Sequence, residues 1–214
     1  MIIAIDGTSA SGKSTVAKML AEDLNLVNLN SGNLYRALSL AVLNAGADPD
    51  SEAEIVAFIE KQDLEMDAAD SICLNGKKID LSLLRTPRID SVSSRISFYV
   101  PVRQKVNVIL RRFAQKFDVV CEGRDITSVV FPDTPHKFFI DADVNERARR
   151  RTENYNGDFN KVLDDLKKRD VEDYSKPFGA LRIVEGATFI NSTHKTPREV
   201  CDIIMECVGA SHES

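Results

Sequence analysis

The chain has 214 residues, of which 43% are hydrophobic and 29% charged, and its formal net charge is -5. This length can bury a sizeable core in one large domain or two small ones. A mildly acidic chain is not expected to hold nucleic acid by bulk electrostatics, so any anion that it binds requires a local basic pocket.

Targeting signals are not apparent in the sequence. The N-terminal run MIIAID stops at Asp6, short of the core of a signal peptide, and no apolar stretch is long enough to cross a bilayer. The four cysteines form no C-x-x-C pair, and we interpret them as reduced thiols. We therefore expect a cytoplasmic protein without membrane or nucleic-acid partners.

The hydrophobic pattern predicts alternating strands and helices. Short apolar runs predict buried strands, and they lie at 2–5, 26–29, 118–123, 137–142 and 188–191. Apolar residues at helical spacing follow the first, second and last of these runs, and a further helix is predicted from Val102 to Phe117. Repeated β-then-α units indicate an α/β fold, in which helices cover a parallel sheet and ligands bind at the carboxyl ends of its strands.

Residues 63–85 interrupt this alternation. Asn75-Gly76 is a hairpin turn signal between two short β-like runs. We predict a small antiparallel insertion on the α/β core.

The segment GTSASGKST at 7–15 matches the phosphate-loop pattern G-x-x-x-x-G-K-[ST] and lies between a buried strand and an amphipathic helix, as the pattern requires. Backbone N–H groups and the helix N-terminus would bind a polyphosphate, Lys13 would reach its outer phosphates, and Ser14 would bind Mg²⁺. The N-K-x-D segment of a regulatory GTPase is absent from the sequence. The predicted triphosphate-binding residues are Gly7, Thr8, Ser9, Ala10, Ser11, Gly12, Lys13, Ser14 and Thr15.

Arginines follow several of the predicted strands. Arg36 follows the second strand, Arg124 follows the strand that ends at Glu122, and RARRR occupies 147–151. A guanidinium group holds phosphate oxygens bidentately, so this set suits a kinase with a phosphorylated acceptor. RARRR could instead form a solvated helix face or a nucleic-acid patch.

We favour the interpretation that these arginines close on ATP and on the transferred phosphoryl group. Arg147 and Arg151 lie one helical turn apart and would share a face. The predicted catalytic residues are Lys13, Arg124, Arg147 and Arg151.

Five segments in this order resemble bacterial-type cytidylate kinases, and the resemblance covers nearly the whole chain, including the insertion. They are GTSASGKST, NSGNLYR (30–36), EGRDITSVVFPD (122–133), RARRR (147–151) and RDVED (169–173). The resemblance implies transfer of the γ-phosphate of ATP to CMP or dCMP in pyrimidine nucleotide metabolism, with Mg²⁺ as cofactor. It also implies a five-stranded parallel core, an acceptor-binding region that contains the insertion, and a mobile helical lid.

On this resemblance the chain is a single phosphate-loop kinase unit. Its core would comprise about 1–32, 103–145 and 177–214, its acceptor region about 33–102, and its lid about 146–176. We expect a monomer.

The resemblance also implies a set of CMP contacts. They are Ser31, Arg36, Ser94, Arg103, Arg124, Asp125, Arg169, Asp173 and Lys176. Arg36 and Arg124 would hold the acceptor phosphate, and Asp173 would accept from a sugar hydroxyl. Asp125 would accept from the cytosine amino group while Arg103 donates to the ring. The carbonyl of uracil would repel a carboxylate at Asp125, which predicts a preference for cytosine.

The sequence departs from the family pattern in three places. Lys176 stands where arginine is usual, Asn30 replaces a frequent aspartate, and Ile126-Thr127-Ser128 replaces the commoner Ile-Gly-Thr. Lysine supplies a point charge in place of a planar fork, which puts one acceptor contact in question.

Two carboxylates near the phosphate loop have open roles. Glu122 is either a routine strand-end carboxylate or holds a water on Mg²⁺. For Asp6 we expect a structural hydrogen bond to loop N–H groups in preference to a metal role. Two rival functions stay open: a kinase with another acceptor, and a nucleotide-binding switch without catalysis.

Overall fold

The computed structural model describes residues 1–66, 71–155 and 158–210. The predicted insertion and the predicted lid therefore include positions, 67–70 and 156–157, that lie outside the described residues. The strands are β1 (Ile2–Gly7), β2 (Val27–Asn30), β3 (Leu64–Met66), β4 (Ile72–Leu74), β5 (Lys77–Lys78), β6 (Val119–Gly123), β7 (His136–Asp141) and β8 (Thr188–Asn191). The helices are α1 (Lys13–Asp23), α2 (Ser31–Ala45), α3 (Glu52–Glu60), α4 (Pro87–Ile96), α5 (Val100–Ala114), α6 (Val144–Tyr155), α7 (Phe159–Ser175) and α8 (Pro197–Ala210).

Five of the strands form a parallel sheet in the order β2-β6-β1-β7-β8. The central strand β1 pairs with β6 and β7, which places Asp6 opposite Gly123 on one side and Phe139 on the other. The carboxyl ends of these three strands therefore meet at one edge of the sheet. The predicted parallel α/β fold is confirmed.

The core of this sheet explains why its strands are apolar on both faces. Ile3, Ile5 and Phe138 are almost completely buried and pack with Leu20 of α1 and Ile204 of α8. Burying a side chain of this size contributes about 1.5 to 3 kcal/mol relative to exposure. The phosphate loop that joins β1 to α1 is thus anchored by core packing on either side.

The predicted antiparallel insertion is also confirmed. β3, β4 and β5 form a separate three-stranded sheet, with Leu64 opposite Leu74. Asn75 and Gly76 both have positive φ, 52° and 72°, which is the backbone of a two-residue hairpin turn.

The predicted helix from Val102 to Phe117 differs at its ends. It is α5, which ends at Ala114, and Phe117 lies beyond it with 44% of its surface exposed. Phe117 continues the helical spacing of apolar residues, but its ring packs on Phe113 at 4.7 Å between centroids instead of entering the core.

The described chain divides into two compact units. The first comprises Met1–Asn28 and Asp118–Ser214 and contains most of the parallel sheet; the second is Leu29–Phe117 and contains the small antiparallel sheet. In the described residues, no helix combines the length and apolar character that crossing a membrane requires.

Candidate active site

The phosphate loop connects β1 to α1 and depends on two of its glycines. Gly12 precedes the first residue of α1 with φ at 93°, a left-handed conformation that favours glycine. A Cβ at Gly7 would collide with the backbone carbonyl of Ile140 in the adjacent strand. The loop can therefore follow this path only with glycine at these positions.

Lys13 begins α1 and its side chain turns back into the loop. Its Nζ donates to the Thr8 carbonyl at 2.5 Å and lies 3.5 Å from the Ser11 hydroxyl. Burial, and then the positive charge of Arg124, lowers the pKa of Lys13 from 10.5 to about 7. A phosphate beside Nζ would favour the charged form and raise this pKa again.

Ser14 and Glu122 meet where β6 ends beside α1. The Ser14 hydroxyl donates to Oε1 of Glu122 at 2.7 Å, and Glu122 is 5% exposed. No cluster of three or more His, Cys, Asp or Glu that could hold a metal occurs in the described part of the chain. Mg²⁺ takes one or two protein oxygens together with water and phosphate oxygens, so a hydroxyl beside a single carboxylate fits this ion.

Arg124, Asp173 and Lys176 form a buried charge cluster in the first unit. Arg124 Nε donates to Asp173 Oδ2 at 2.6 Å, and Lys176 Nζ donates to Asp173 Oδ1 at 2.7 Å. Burial alone would raise the pKa of Asp173, but Arg124, Lys176 and Arg169 outweigh it and hold the pKa well below its usual range. Of the predicted CMP contacts, the structure thus brings Arg124, Asp173 and Lys176 into one cluster, and Arg169 lies close enough to lower the pKa of Asp173.

Asp6 makes the structural contacts that we expect, but with a different loop. Its carboxylate accepts from the backbone N–H groups of Ile126 and Thr127 at 2.9 and 2.8 Å and from the Thr127 hydroxyl at 2.6 Å. These donors belong to a π-helical turn after β6, not to the phosphate loop. At the position where the family commonly has glycine, Thr127 thus adds a hydroxyl that donates to Asp6. Asp125 lies buried at the start of the same turn.

Arg147 is buried against the phosphate loop. Nε donates to the Ala142 carbonyl at 2.9 Å, Nη1 donates to the Ser9 carbonyl at 3.2 Å, and Nη1 and Nη2 hold Asp170 of α7 at 3.1 and 2.6 Å. Its side chain is only 5% exposed, whereas that of Arg149 is 54% exposed. The solvated-face alternative therefore describes Arg149 but not Arg147.

In the second unit, Arg36 lies at the start of α2. Its Nε donates to Oδ1 of Asp90 in α4 at 3.0 Å, and its Nη1 is 2.7 Å from the position of a Cβ on Gly32. The side chain of Asn30 caps α2 by accepting from the Asn33 N–H at 3.2 Å. Asparagine caps a helix as well as aspartate does, so this departure from the family pattern does not weaken the N-terminus of α2.

Arg103 and Ser94 also lie in the second unit. Arg103 is 2% exposed, its Nη1 donates to the Ser97 carbonyl at 3.0 Å, and its guanidinium carbon is 5.8 Å from the centroid of the Tyr35 ring. Ser94 lies in α4, one turn after Asp90. Tyr35 and Ser97 thus restrict the orientation of Arg103 from two sides.

A family model described as Cytidylate kinase matches residues 3–210. The chain belongs to the cytidylate kinase family. It is 38% identical to a cytidylate kinase from Borreliella burgdorferi strain ZS7, with 96% of each chain covered. It is 37% identical to the cytidylate kinase of Caldanaerobacter subterraneus subsp. tengcongensis, with 96% of this chain and 93% of the relative covered.

Two solved structures share the fold at low sequence identity. An uncharacterized protein from Eubacterium ventriosum is 17% identical, with a TM-score of 0.55 over 98% of each chain. A gluconokinase from Sinorhizobium meliloti 1021 is 12% identical, with a TM-score of 0.52 over 99% of this chain and 93% of the other. These likenesses concern the fold alone and agree with the α/β architecture described above.

Several residues that support this site were not predicted from the sequence. Asp141 accepts from the Thr8 hydroxyl at 2.5 Å, and the Ser192 hydroxyl donates to the Ser11 carbonyl at 2.9 Å. Both lie at the ends of sheet strands or just beyond them, a position that could have indicated them. Asp90 and Asp170 lie within helices far in sequence from the arginines that they contact, and no local pattern indicates them.

Proposed function

We propose that this family member transfers the γ-phosphate of ATP to CMP or dCMP, giving CDP or dCDP in pyrimidine nucleotide metabolism. The main support for the proposal is the set of residues at the carboxyl ends of the parallel strands. There Ser14 of the phosphate loop donates to Glu122, and Arg124 and Glu122 lie close enough to Lys13 to shift its pKa.

On the donor side, residues 7–15 would bind the phosphates of ATP. Ser14 directly, and Glu122 through water, would hold Mg²⁺, which when bound neutralises charge on the phosphates. Their hydrogen bond at 2.7 Å supports this assignment. The acceptor oxygen attacks the γ-phosphorus in line, while Lys13, Arg124, Arg147 and Arg151 stabilise the charge on the transferred group.

On the acceptor side, the proposed CMP contacts are those that the family resemblance implies. Ser31, Arg36, Ser94 and Arg103 belong to the second unit, and Arg124, Asp125, Arg169, Asp173 and Lys176 to the first. The buried Lys176 already donates to Asp173, which supports a charge role for lysine at this position. A cytoplasmic location, a monomeric state and the absence of nucleic-acid and membrane partners stay predictions.

The first test is ADP formation from Mg-ATP with CMP, dCMP, UMP, AMP and GMP at equal concentration. We expect turnover with CMP and dCMP and little with the others. Asp125→Ala should lose the discrimination against UMP, because the carboxylate that repels the uracil carbonyl is gone. Equal UMP turnover by the wild type would overturn the role of Asp125. No turnover with any of the five nucleotides would overturn CMP as the acceptor and favour a nucleotide-binding switch or a kinase with a non-nucleotide acceptor.

The phosphate contacts can be tested by truncating the arginines one at a time. Arg36→Ala and Arg124→Ala should each weaken transfer to CMP by about 2 to 5 kcal/mol in kcat/KM, because a desolvated phosphate charge is left unpaired. ATP binding should change far less in Arg36→Ala. The control is Arg149→Ala, which removes an exposed arginine that is paired only with Glu146 and Glu153 in the described chain. Normal CMP turnover in either active-site variant would reject the acceptor site.

A further inference from the structure

Asp90, to which the sequence assigned no role, contacts the arginine proposed to bind the acceptor phosphate. Its Oδ1 accepts from Arg36 Nε at 3.0 Å, and the two side chains are 24% and 15% exposed, respectively. Asp90 lies in the first turn of α4 and Arg36 in α2, and these two helices pack together in the second unit. The contact is therefore set by tertiary packing and not by spacing along one helix.

The guanidinium group of Arg36 is turned towards the start of its own helix. Helical side chains lean towards the N-terminus, and Nη1 lies 2.7 Å from where a Cβ on Gly32 would be. A cation at this end of a helix meets the positive end of the helix dipole, and a nearby anion offsets this repulsion. Asp90 supplies one negative charge on the Nε edge.

The opposite edge of the guanidinium is available to a ligand. Across residues 1–66, 71–155 and 158–210, Nη1 and Nη2 of Arg36 have no hydrogen-bond partner. These two nitrogens are the donors that a phosphate would meet here.

We propose that Asp90 is a positioning residue for the acceptor phosphate: by holding Nε, it presents Nη1 and Nη2 of Arg36 to that phosphate. This inference rests on the proposed function, because the phosphate is that of CMP. A free arginine side chain loses much rotamer freedom when it binds a ligand, and the contact with Asp90 removes part of that freedom before CMP arrives. Asp90 contacts the far edge of the guanidinium and is partly exposed, so solvent and salt weaken its repulsion of the phosphate.

The same helix also carries a proposed cytosine contact. Ser94 follows Asp90 by one turn of α4, a rise of about 5.4 Å. The sugar of a nucleotide separates its phosphate from its base by a comparable length. Helix α4 would thus position the two ends of CMP from one rigid element.

The test compares Asp90→Ala with Asp90→Asn in steady-state kinetics with CMP and ATP varied separately. We expect Asp90→Ala to raise the KM for CMP roughly tenfold, because a small displacement of Arg36 misplaces the acceptor, and to leave the KM for ATP unchanged. Asp90→Asn keeps an oxygen for Nε and should recover most of the affinity. The matched control is Asp50→Ala, which removes the exposed carboxylate paired with Arg95 Nε at 2.6 Å in the same unit and should behave as the wild type.

A double-mutant comparison shows whether Asp90 acts through Arg36. In an Arg36→Ala background, which has no side-chain donor for Asp90 to hold, adding Asp90→Ala should have no further effect on the KM for CMP. A lower KM for CMP in Asp90→Ala would overturn the proposal, because it would mean that Asp90 competes with the phosphate for Arg36. An unchanged KM for CMP, or equal rises for CMP and ATP, would also overturn it. A wild type without CMP turnover would reject the proposed function as well, whereas failure of the Asp90 role alone appears only in the variants.

Discussion

The hydrogen bond from Thr127 to Asp6 should give this fold a stability signature that depends on pH. Asp6 is completely buried, and burial raises its pKa from 3.8 to about 6 although three hydrogen bonds to Thr127 and Ile126 oppose the rise. The folded chain therefore holds the proton more tightly than the unfolded chain between these values. Through this residue alone, the free energy of unfolding falls by about 3 kcal/mol as the pH rises from 4 through 6, at about 1.4 kcal/mol per pH unit.

Thr127→Val removes the hydroxyl donor while keeping the volume of the side chain. At pH 8 Asp6 is ionised, and a hydrogen bond to a charged group contributes about 1.5 to 3 kcal/mol, so we expect a loss in that range. At pH 5 the carboxyl is largely protonated, and the loss should shrink to about 0.5 to 1.5 kcal/mol because the bond then joins neutral groups. Thr127→Ser keeps the hydroxyl and should remain close to the wild type at both pH values.

The assay is urea denaturation at pH 5 and pH 8. Thr152→Val serves as the control, because it removes a hydroxyl that donates to the neutral backbone carbonyl of Ala148 at 2.8 Å. Its cost should not change with pH. Equal costs of Thr127→Val at the two pH values, or the same dependence on pH for Thr127→Val and its control, would contradict the role of the ionised Asp6.

Three further results are expected. Gly32→Ala should raise the KM for CMP about tenfold or more, because the new methyl would lie 2.7 Å from Nη1 of Arg36 and displace it. A normal KM for CMP would contradict this. ATP binding at pH 8 should be accompanied by the uptake of close to one proton, because Lys13 with a pKa of about 7 is mostly neutral until phosphate binds. Calorimetry in buffers of different ionisation enthalpy would detect this proton uptake. A binding enthalpy that does not depend on the buffer would contradict it. Lys176→Met should lower the free energy of unfolding by about 3 kcal/mol, because the buried Asp173 loses one cation. Lys176→Arg keeps a cation there and should retain most of the wild-type stability. Equal losses of stability in the two variants on denaturation would contradict this.

The parts of this protein that short sequence patterns specify were predicted correctly. The strand positions, the hairpin turn at Asn75-Gly76 and the phosphate loop at 7–15 all follow from interactions between residues close in the chain or from the apolar character of a buried strand. The end of α5 was not predicted, because the apolar spacing continues to Phe117 after the helix stops at Ala114.

The partners of the site residues were decided only by the tertiary structure. Asp90 is 54 residues from Arg36, and Thr127 is 121 residues from Asp6. Each pair depends on how two elements pack. The sequence does not distinguish a carboxylate that is exposed at the surface from one that is buried beside a partner. The sequence by itself determined the phosphate loop and the family of the chain. Packing decided which carboxylate holds each cation, because charge pairing depends on distance and burial, which emerge only when the chain is folded.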